Sequence, residues 1–302
     1  MPIRVVFGAK KSGLDPANGD IHVATPMLLG SGVEDLVAGP QDIFEQSEHH
    51  FISESEGWLS AAYVLPIRST MADTAHEAYQ RVLRDFADAQ LVRIWNFVPG
   101  INEEVDGLEN YRAFCLGRHE AFVEHFGARA NEQYCSASAV GVDDDCLVVN
   151  VLGTHRRALH QENPLQEPAY NYPERYGPRP PCFSRASYVP GESPALYISG
   201  TASVRGSESI SPGDLAGQLK VTGENLDRII AESVSSLGQD IKSVGQAYGR
   251  AYVRHPEHMD AVMACIDEHA WCTRERTNIV RSDICRSELL VEIELSWPAV
   301  LT

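Results

Sequence analysis

The segment from Ser282 to Leu295, SDICRSELLVEIEL, constrains the fold more than any other stretch of the chain. Leu289, Val291, Ile293 and Leu295 alternate with Leu290, Glu292 and Glu294, the two-residue period of a strand with one buried face. The aliphatic face needs a partner layer, so the strand belongs in a sheet. The opposite face carries two carboxylates within an apolar run. Burial disfavours the ionised form of a carboxyl and raises its proton affinity, which is what a general acid needs near neutral pH. Upstream, Ile284-Cys285 forms a second short apolar run, followed by the polar turn Arg286-Ser287-Glu288. If that turn reverses the chain, Cys285 and Glu292 lie on neighbouring strands and face one cavity. On one continuous strand, odd and even positions point to opposite faces, and the plainer reading is a core cysteine with two glutamates at a rim.

At 302 residues the chain has room for one large domain or two ordinary ones. No stretch approaches the roughly 18 apolar residues of a membrane span, and the N-terminus MPIRVVFGAKKSG lacks the apolar core of a signal peptide. The seven cysteines are scattered, form no CxxC pair and read as reduced thiols. The expectation is a cytoplasmic protein, acting as a monomer. A formal charge of −17 argues against nucleic acid or anionic membrane as partner. A small anionic substrate is compatible with it where arginines gather locally. His49 and His50 are adjacent with no further histidine at ligand spacing, so a metal site is not expected.

Taken in order, residues 1–57 read as a poorly defined N-terminal extension, with SEHHFISESEG as a solvated loop. Residues 58–159 then alternate. Trp58–Arg68 is a strand, Ser69–Ala89 a helix, Leu91–Ile101 a strand, Tyr111–Phe126 a helix and Cys146–Leu152 a strand. Residues 160–194 are rich in proline, tyrosine and arginine without periodicity, and serve equally as linker or binding loop. Guanidinium forks there would suit a dicarboxylate. Residues 195–302 repeat the order with a strand at 195–204, a helix at 213–236, a strand at 247–254, a helix at 255–269 and a final strand pair at 279–295. The fold class is therefore α+β, with two strand-helix-strand-helix-strand halves as a pseudo-duplication. The chain has no GxxxxGK[ST], no GxGxxG between strand and helix, and no GxSxG.

Five blocks carry a resemblance. They are RIWNFVPGIN (Arg93–Asn102), GLENYRAFCLGRHEAF (Gly107–Phe122), YNYPERYGPRPPCFSRA (Tyr170–Ala186), SGTASVRG (Ser199–Gly206) and DICRSELLVEIE (Asp283–Glu294). The second half resembles the YjgF-like fold, and from about residue 58 the chain resembles the chorismatases, which cleave the enolpyruvyl ether of chorismate without metal or organic cofactor. The resemblance implies that Glu292 protonates the ether's terminal methylene so that pyruvate departs. One branch of that family adds water and leaves a dihydrodiol. The other uses the substrate's ring hydroxyl for displacement and aromatises to a hydroxybenzoate. Cys285 and Ala202 match the aromatising branch, where a bulkier pair excludes water and the thiol is available to accept a ring proton. Arg118, Tyr172 and Arg185, with Arg179, Gly200 and Thr201, match positions expected to bind the substrate. The implied activity is 3-hydroxybenzoate formation. The alternatives are 4-hydroxybenzoate or a mixture, hydrolysis to the dihydrodiol, and a silent metabolite-binding protein. Relatives often carry histidines in a GHxSxH pattern where this chain has GSESIS (Gly206–Ser211), so any role of those histidines in orienting substrate is absent or replaced here.

Overall fold

The final strand, Val291–Trp297, sits inside a sheet, with its two faces in different environments. In this computed structural model, which describes residues 3–15, 17–37, 42–47, 49–237 and 246–297, Val291, Ile293 and Leu295 pack beneath two helices. Those helices are α3 (Leu215–Leu237) and α4 (Met259–His269), preceded in the chain by α1 (Met71–Asp85) and α2 (Asn110–Phe126). Glu292 and Glu294 point the other way, towards the first half of the chain.

The two halves have the same strand order. In the first sheet, Ser136–Val142 lies beside Gln90–Pro99, then Cys146–Thr154, Trp58–Pro66 and His50–Ser55. In the second, Thr277–Arg281 lies beside Tyr248–Val253, then Val291–Trp297, Ala195–Thr201 and Ala186–Val189. Each half has one parallel pair, Gln90–Pro99 with Ser136–Val142 and Tyr248–Val253 with Thr277–Arg281. The expected α+β class and paired halves are therefore observed. The strand Ser136–Val142 was missing from the sequence reading because Ser136, Ala137, Ser138, Ala139 and Gly141 give it too little apolar periodicity.

Helices α1 and α2 cover one face of the first sheet, α3 and α4 one face of the second. The uncovered faces meet in a common core that includes Trp95, Phe97, Val148, Tyr197 and Tyr252. A four-stranded sheet made of Ile3–Phe7, Gly13–Asp15, Asp20–Val23 and Val33–Val37 closes the third side of this core with Ile3, Val5, Phe7, Ile21 and Val23. The expectation of a poorly defined extension is thus corrected. Met27–Leu29 pairs with Thr277–Arg281, and Asp42–Gln46 with His50–Ser55, so the segment adds an edge strand to each large sheet. The expected solvated loop is mostly strand, though Glu48 lies outside the described residues. Short strands broken by Gly8, Gly30 and Gly32, all at positive φ, hid this pattern. Among the described residues, no helix is long and apolar enough to cross a membrane.

Helices α1 and α2 pack closely because Gly117 offers no side chain. A Cβ there would run into the Ala72 carbonyl oxygen and lie 2.8 Å from the His76 nitrogen. Neither backbone atom yields easily. Gly117→Ala is expected to cost about 1–3 kcal/mol of stability through overpacking, read as a lower urea midpoint at unchanged m-value.

Candidate active site

Glu294 is the best-anchored carboxylate in the described chain. Arg93 Nη2 donates to it at 2.6 Å, Trp95 Nε1 at 2.8 Å and Ser138 Oγ at 2.5 Å, while Arg250 Nη1 lies 2.9 Å away. Arg93 and Trp95 come from the first sheet, and Arg250 is its cross-strand neighbour in the second. Burial alone would raise its pKa, but Arg250 and Arg93, with the Ser138 and Trp95 hydrogen bonds, hold it below the usual range. Arg250 in turn pairs with Glu34 of the N-terminal sheet.

Glu292, two residues earlier on the same face, has the opposite surroundings. It is 4% exposed, and among the described residues its carboxyl has no hydrogen-bond donor. Burial first, then the Glu294 charge, pushes its pKa up to about 8, with Arg93 and Arg185 pulling weakly the other way. Two neighbouring carboxyls are thereby driven apart, one kept ionised and one kept protonated near neutral pH. The register between Ala195–Thr201 and the final strand shifts between Ile198 and Thr201, which brings Gly200 against Glu292. Any Cβ at Gly200 would collide with the Glu292 carboxyl, whose Cδ would be 2.6 Å away.

Glu292 opens into a cavity of about 200 Å³ between the halves. Cys285, Ala202, Gly200, Arg118, Tyr172 and Arg185 also line it, as the sequence reading grouped them. The turn after Cys285 does reverse the chain, with Leu289 N donating to the Arg286 carbonyl at 3.0 Å. Arg254 ties that loop down through the Leu289 carbonyl at 2.8 Å and Asp283 at 2.5 Å. Burial, and secondarily Glu292, pushes the Cys285 thiol up to about 12. Its surroundings therefore favour the neutral thiol near pH 7.

Arg118, from α2, is 3% exposed and stacks over Tyr79 at 4.8 Å and Phe122 at 5.8 Å. Its Nε and Nη2 are buried with no hydrogen-bond partner. A buried guanidinium in this state is costly unless an anion completes it. Arg185 donates through Nη2 to the Tyr172 hydroxyl at 2.8 Å and the Glu167 carbonyl at 2.9 Å. Arg112, Arg175 and Arg286 bring the lining to five arginines against three glutamates. The wall is locally cationic within a chain of charge −17.

Two expected residues lie elsewhere. Thr201 turns its Oγ1 to the Ser199 carbonyl at 2.8 Å, away from the cavity, since the strand's alternation exposes its neighbours there instead. Arg179 sits exposed between two prolines, where its charge helps to depress His119. Ser138, Arg93 and Arg286 were missed, whereas Glu294 was read as one of two carboxylates on the strand's non-aliphatic face. Only the alternation of Arg93 with Ile94 and Trp95 with Asn96 hinted that a charge points inward.

Residues 37–153 match the family model for the N-terminal part of FkbO/Hyg5-like chorismatases. A 3-hydroxybenzoate synthase of Streptomyces hygroscopicus is 36% identical over 226 residues, 70% of this chain and 65% of that protein. A chorismatase of Streptomyces rapamycinicus is 38% identical over 68% of this chain and 63% of its own length, and a second chorismatase of S. hygroscopicus is 35% identical over 74% and 67%. The chain thus spans a little under two thirds of the first two relatives. A chorismatase crystal structure superposes with a TM-score of 0.81 at 26% identity, covering 97% of this chain and 91% of that one. The chain belongs to the chorismatase family.

Because the ordinary carboxyl value is near 4.5, a Glu292 held at about 8 costs stability only where the unfolded chain ionises it. The cost is absent below about pH 4.5, grows as pH rises and levels off above about 8. Glu292→Gln removes it. The variant is expected to exceed wild type in stability by on the order of 4 kcal/mol at pH 8.5, with little difference at pH 4.5, in urea unfolding at the two pH values.

Proposed function

We propose that this chain is a lyase that converts chorismate to 3-hydroxybenzoate and pyruvate in the cytoplasm, as a monomer without nucleic-acid partners. In this reading the halves 58–159 and 195–302 are joined by the segment 160–194, which supplies Tyr172 and Arg185. The single observation that carries the proposal is the pair Glu292 and Glu294, a protonated acid and a fixed anion on one strand face, at the floor of an arginine-lined cavity. The names of the relatives, a 3-hydroxybenzoate synthase and two chorismatases, support the choice of substrate.

Arg118 and Arg185 take the substrate's two carboxylates, and Tyr172 orients Arg185. Protonated Glu292 gives its proton to the enol-ether methylene, creating oxocarbenium character at the ether carbon. The neighbouring ring hydroxyl gives up its proton and displaces pyruvate, forming an epoxide across the two ring carbons. The oxygen's bond to its original carbon then breaks, the oxygen takes a proton, and loss of a ring proton makes the ring aromatic. Glu292, now a carboxylate, takes that proton back. Chorismate equals hydroxybenzoate plus pyruvate, so no water is consumed. The Cys285 side chain and the Ala202 methyl fill the space a nucleophilic water would need, the thiol acting by bulk.

Incubated with chorismate, the pure protein is expected to yield pyruvate and 3-hydroxybenzoate in equal amounts, resolved by chromatography. Glu292→Gln is expected to lower kcat by about 10²–10⁴ while chorismate still binds, and wild-type kcat is expected to fall as pH rises through about 8. Near-normal turnover in the variant would remove Glu292 from the mechanism. A dihydrodiol product from wild type would place the chain in the hydrolytic branch.

A second expectation concerns partition. The double variant Cys285→Ala with Ala202→Gly makes room for a solvent molecule of about 30 Å³. Its pyruvate release is expected to persist, with the ring product moving from hydroxybenzoate towards the dihydrodiol and label from ¹⁸O water entering the products. An unchanged product ratio would return both residues to a packing role.

A further inference from the structure

Arg185 is hydrogen-bonded along one edge of its guanidinium and idle along the other. Nη2 holds the Tyr172 hydroxyl and the Glu167 carbonyl, whereas Nε is buried without an acceptor. Facing Nε, at 3.9 Å, is Oε2 of Glu162, itself buried without a donor. A buried donor and a buried acceptor thus stand about 1 Å beyond hydrogen-bond length, too close for a water between them. Each is costly alone, and the cost is relieved when they meet. Glu162 follows the short strand Leu159–Gln161 and is not among the cavity-lining residues, so it acts only through Arg185.

We propose that Glu162 is a positioning residue, closing on Arg185 Nε so that Nη1, the guanidinium nitrogen left over, is aimed at a substrate carboxylate. This rests on the reading of Arg185 as a carboxylate-binding group. The charged and titratable groups around the pair are Arg185 itself, Tyr170 beside Glu162, Tyr172 on the other edge of Arg185, and Glu292 across the cavity. Burial pushes Glu162 up to about 7, with Arg185 pulling it back. The protonated carboxyl still offers Nε an acceptor oxygen. The ionised one also sets a negative charge against an incoming dianion. Dianion binding therefore favours the protonated form, takes up a proton, and weakens as pH rises through about 7.

The test is calorimetric binding of chorismate between pH 6 and 8.5 in a Glu292→Gln background, which slows turnover and removes that titration. Kd is expected to rise several-fold across the range in this parent. Adding Glu162→Gln keeps an acceptor for Nε without the charge, so Kd stays flat near its low-pH value. Adding Glu162→Ala leaves Nε unpaired and is expected to raise Kd about tenfold at every pH. Rescue by Gln but not Ala separates aiming from a merely structural role. A parent-like pH slope in the Gln variant, or parent-like affinity in the Ala variant, overturns the proposal. Arg185→Ala in the same background separates the two levels. If it leaves Kd unchanged, the carboxylate-binding reading fails. If it weakens binding while the Glu162 variants do not, the positioning role alone fails.

Discussion

Everything about the cavity depends on a buried anion gripped from two directions. Glu294 is held by Arg93 of the first half and Arg250 of the second, with Ser138 and Trp95 filling its remaining valences. Buried ion pairs are weak evidence for stability, because desolvation offsets most of the attraction. Their value here is placement. Removing one partner would strand a charge between two sheets, so the sheets stay in the one arrangement that keeps all partners together. The same anion then sets the chemistry next door. Glu292 differs from Glu294 by two positions on one strand, yet it faces an open cavity with no cation in contact, and so it holds a proton its neighbour has lost.

The cavity also reconciles a strongly acidic chain with an anionic substrate. A charge of −17 spread over the surface would repel a dianion at long range, but screening within about 8–10 Å of salt solution limits that effect. Five arginines line the walls, and Arg118 in particular is stacked on Tyr79 and Phe122 with two nitrogens unpartnered. Such a group is prepaid for an anion: the cost of burying it falls on folding, and binding recovers it.

The parts of the molecule written in periodic apolar patterns were legible in the sequence. The final strand, its two-faced alternation and the four helices follow from residue spacing, while the turn after Cys285 was open until the structure showed it. What escaped was written in other terms. Ser136–Val142 ends the first sheet and is made of small residues, buried because neighbouring backbone comes close, and small residues leave no hydrophobic signature. The N-terminal sheet is built of strands of three to five residues punctuated by glycine. At the site, the VEIE alternation put two carboxylates on one face and the resemblance singled out Glu292, whereas Arg93, Arg250 and Glu34 owe their importance to distant partners. Thr201 and Arg179 show the converse. Adjacency in sequence to a lining residue does not carry a side chain into the cavity, since a strand turns alternate residues away and a proline-flanked arginine is free to face water.

The edge strand Met27–Leu29 has a consequence for how the chain reaches its final form. Its partner is Thr277–Arg281, some 250 residues later, and the sheet beside it buries Ile3, Val5, Phe7, Ile21 and Val23 against both halves. Contacts of such long range are slow to form. During synthesis, Met27–Leu29 cannot pair with Thr277–Arg281 until that segment has been made. The acidic residues scattered among the N-terminal strands, Asp15, Asp20, Glu34 and Asp35, keep them soluble until then. Glu34 then changes role on arrival, from solubilising charge to the counterion of Arg250. Through Arg250, the N-terminal sheet is thereby tied to the charge network beneath the cavity.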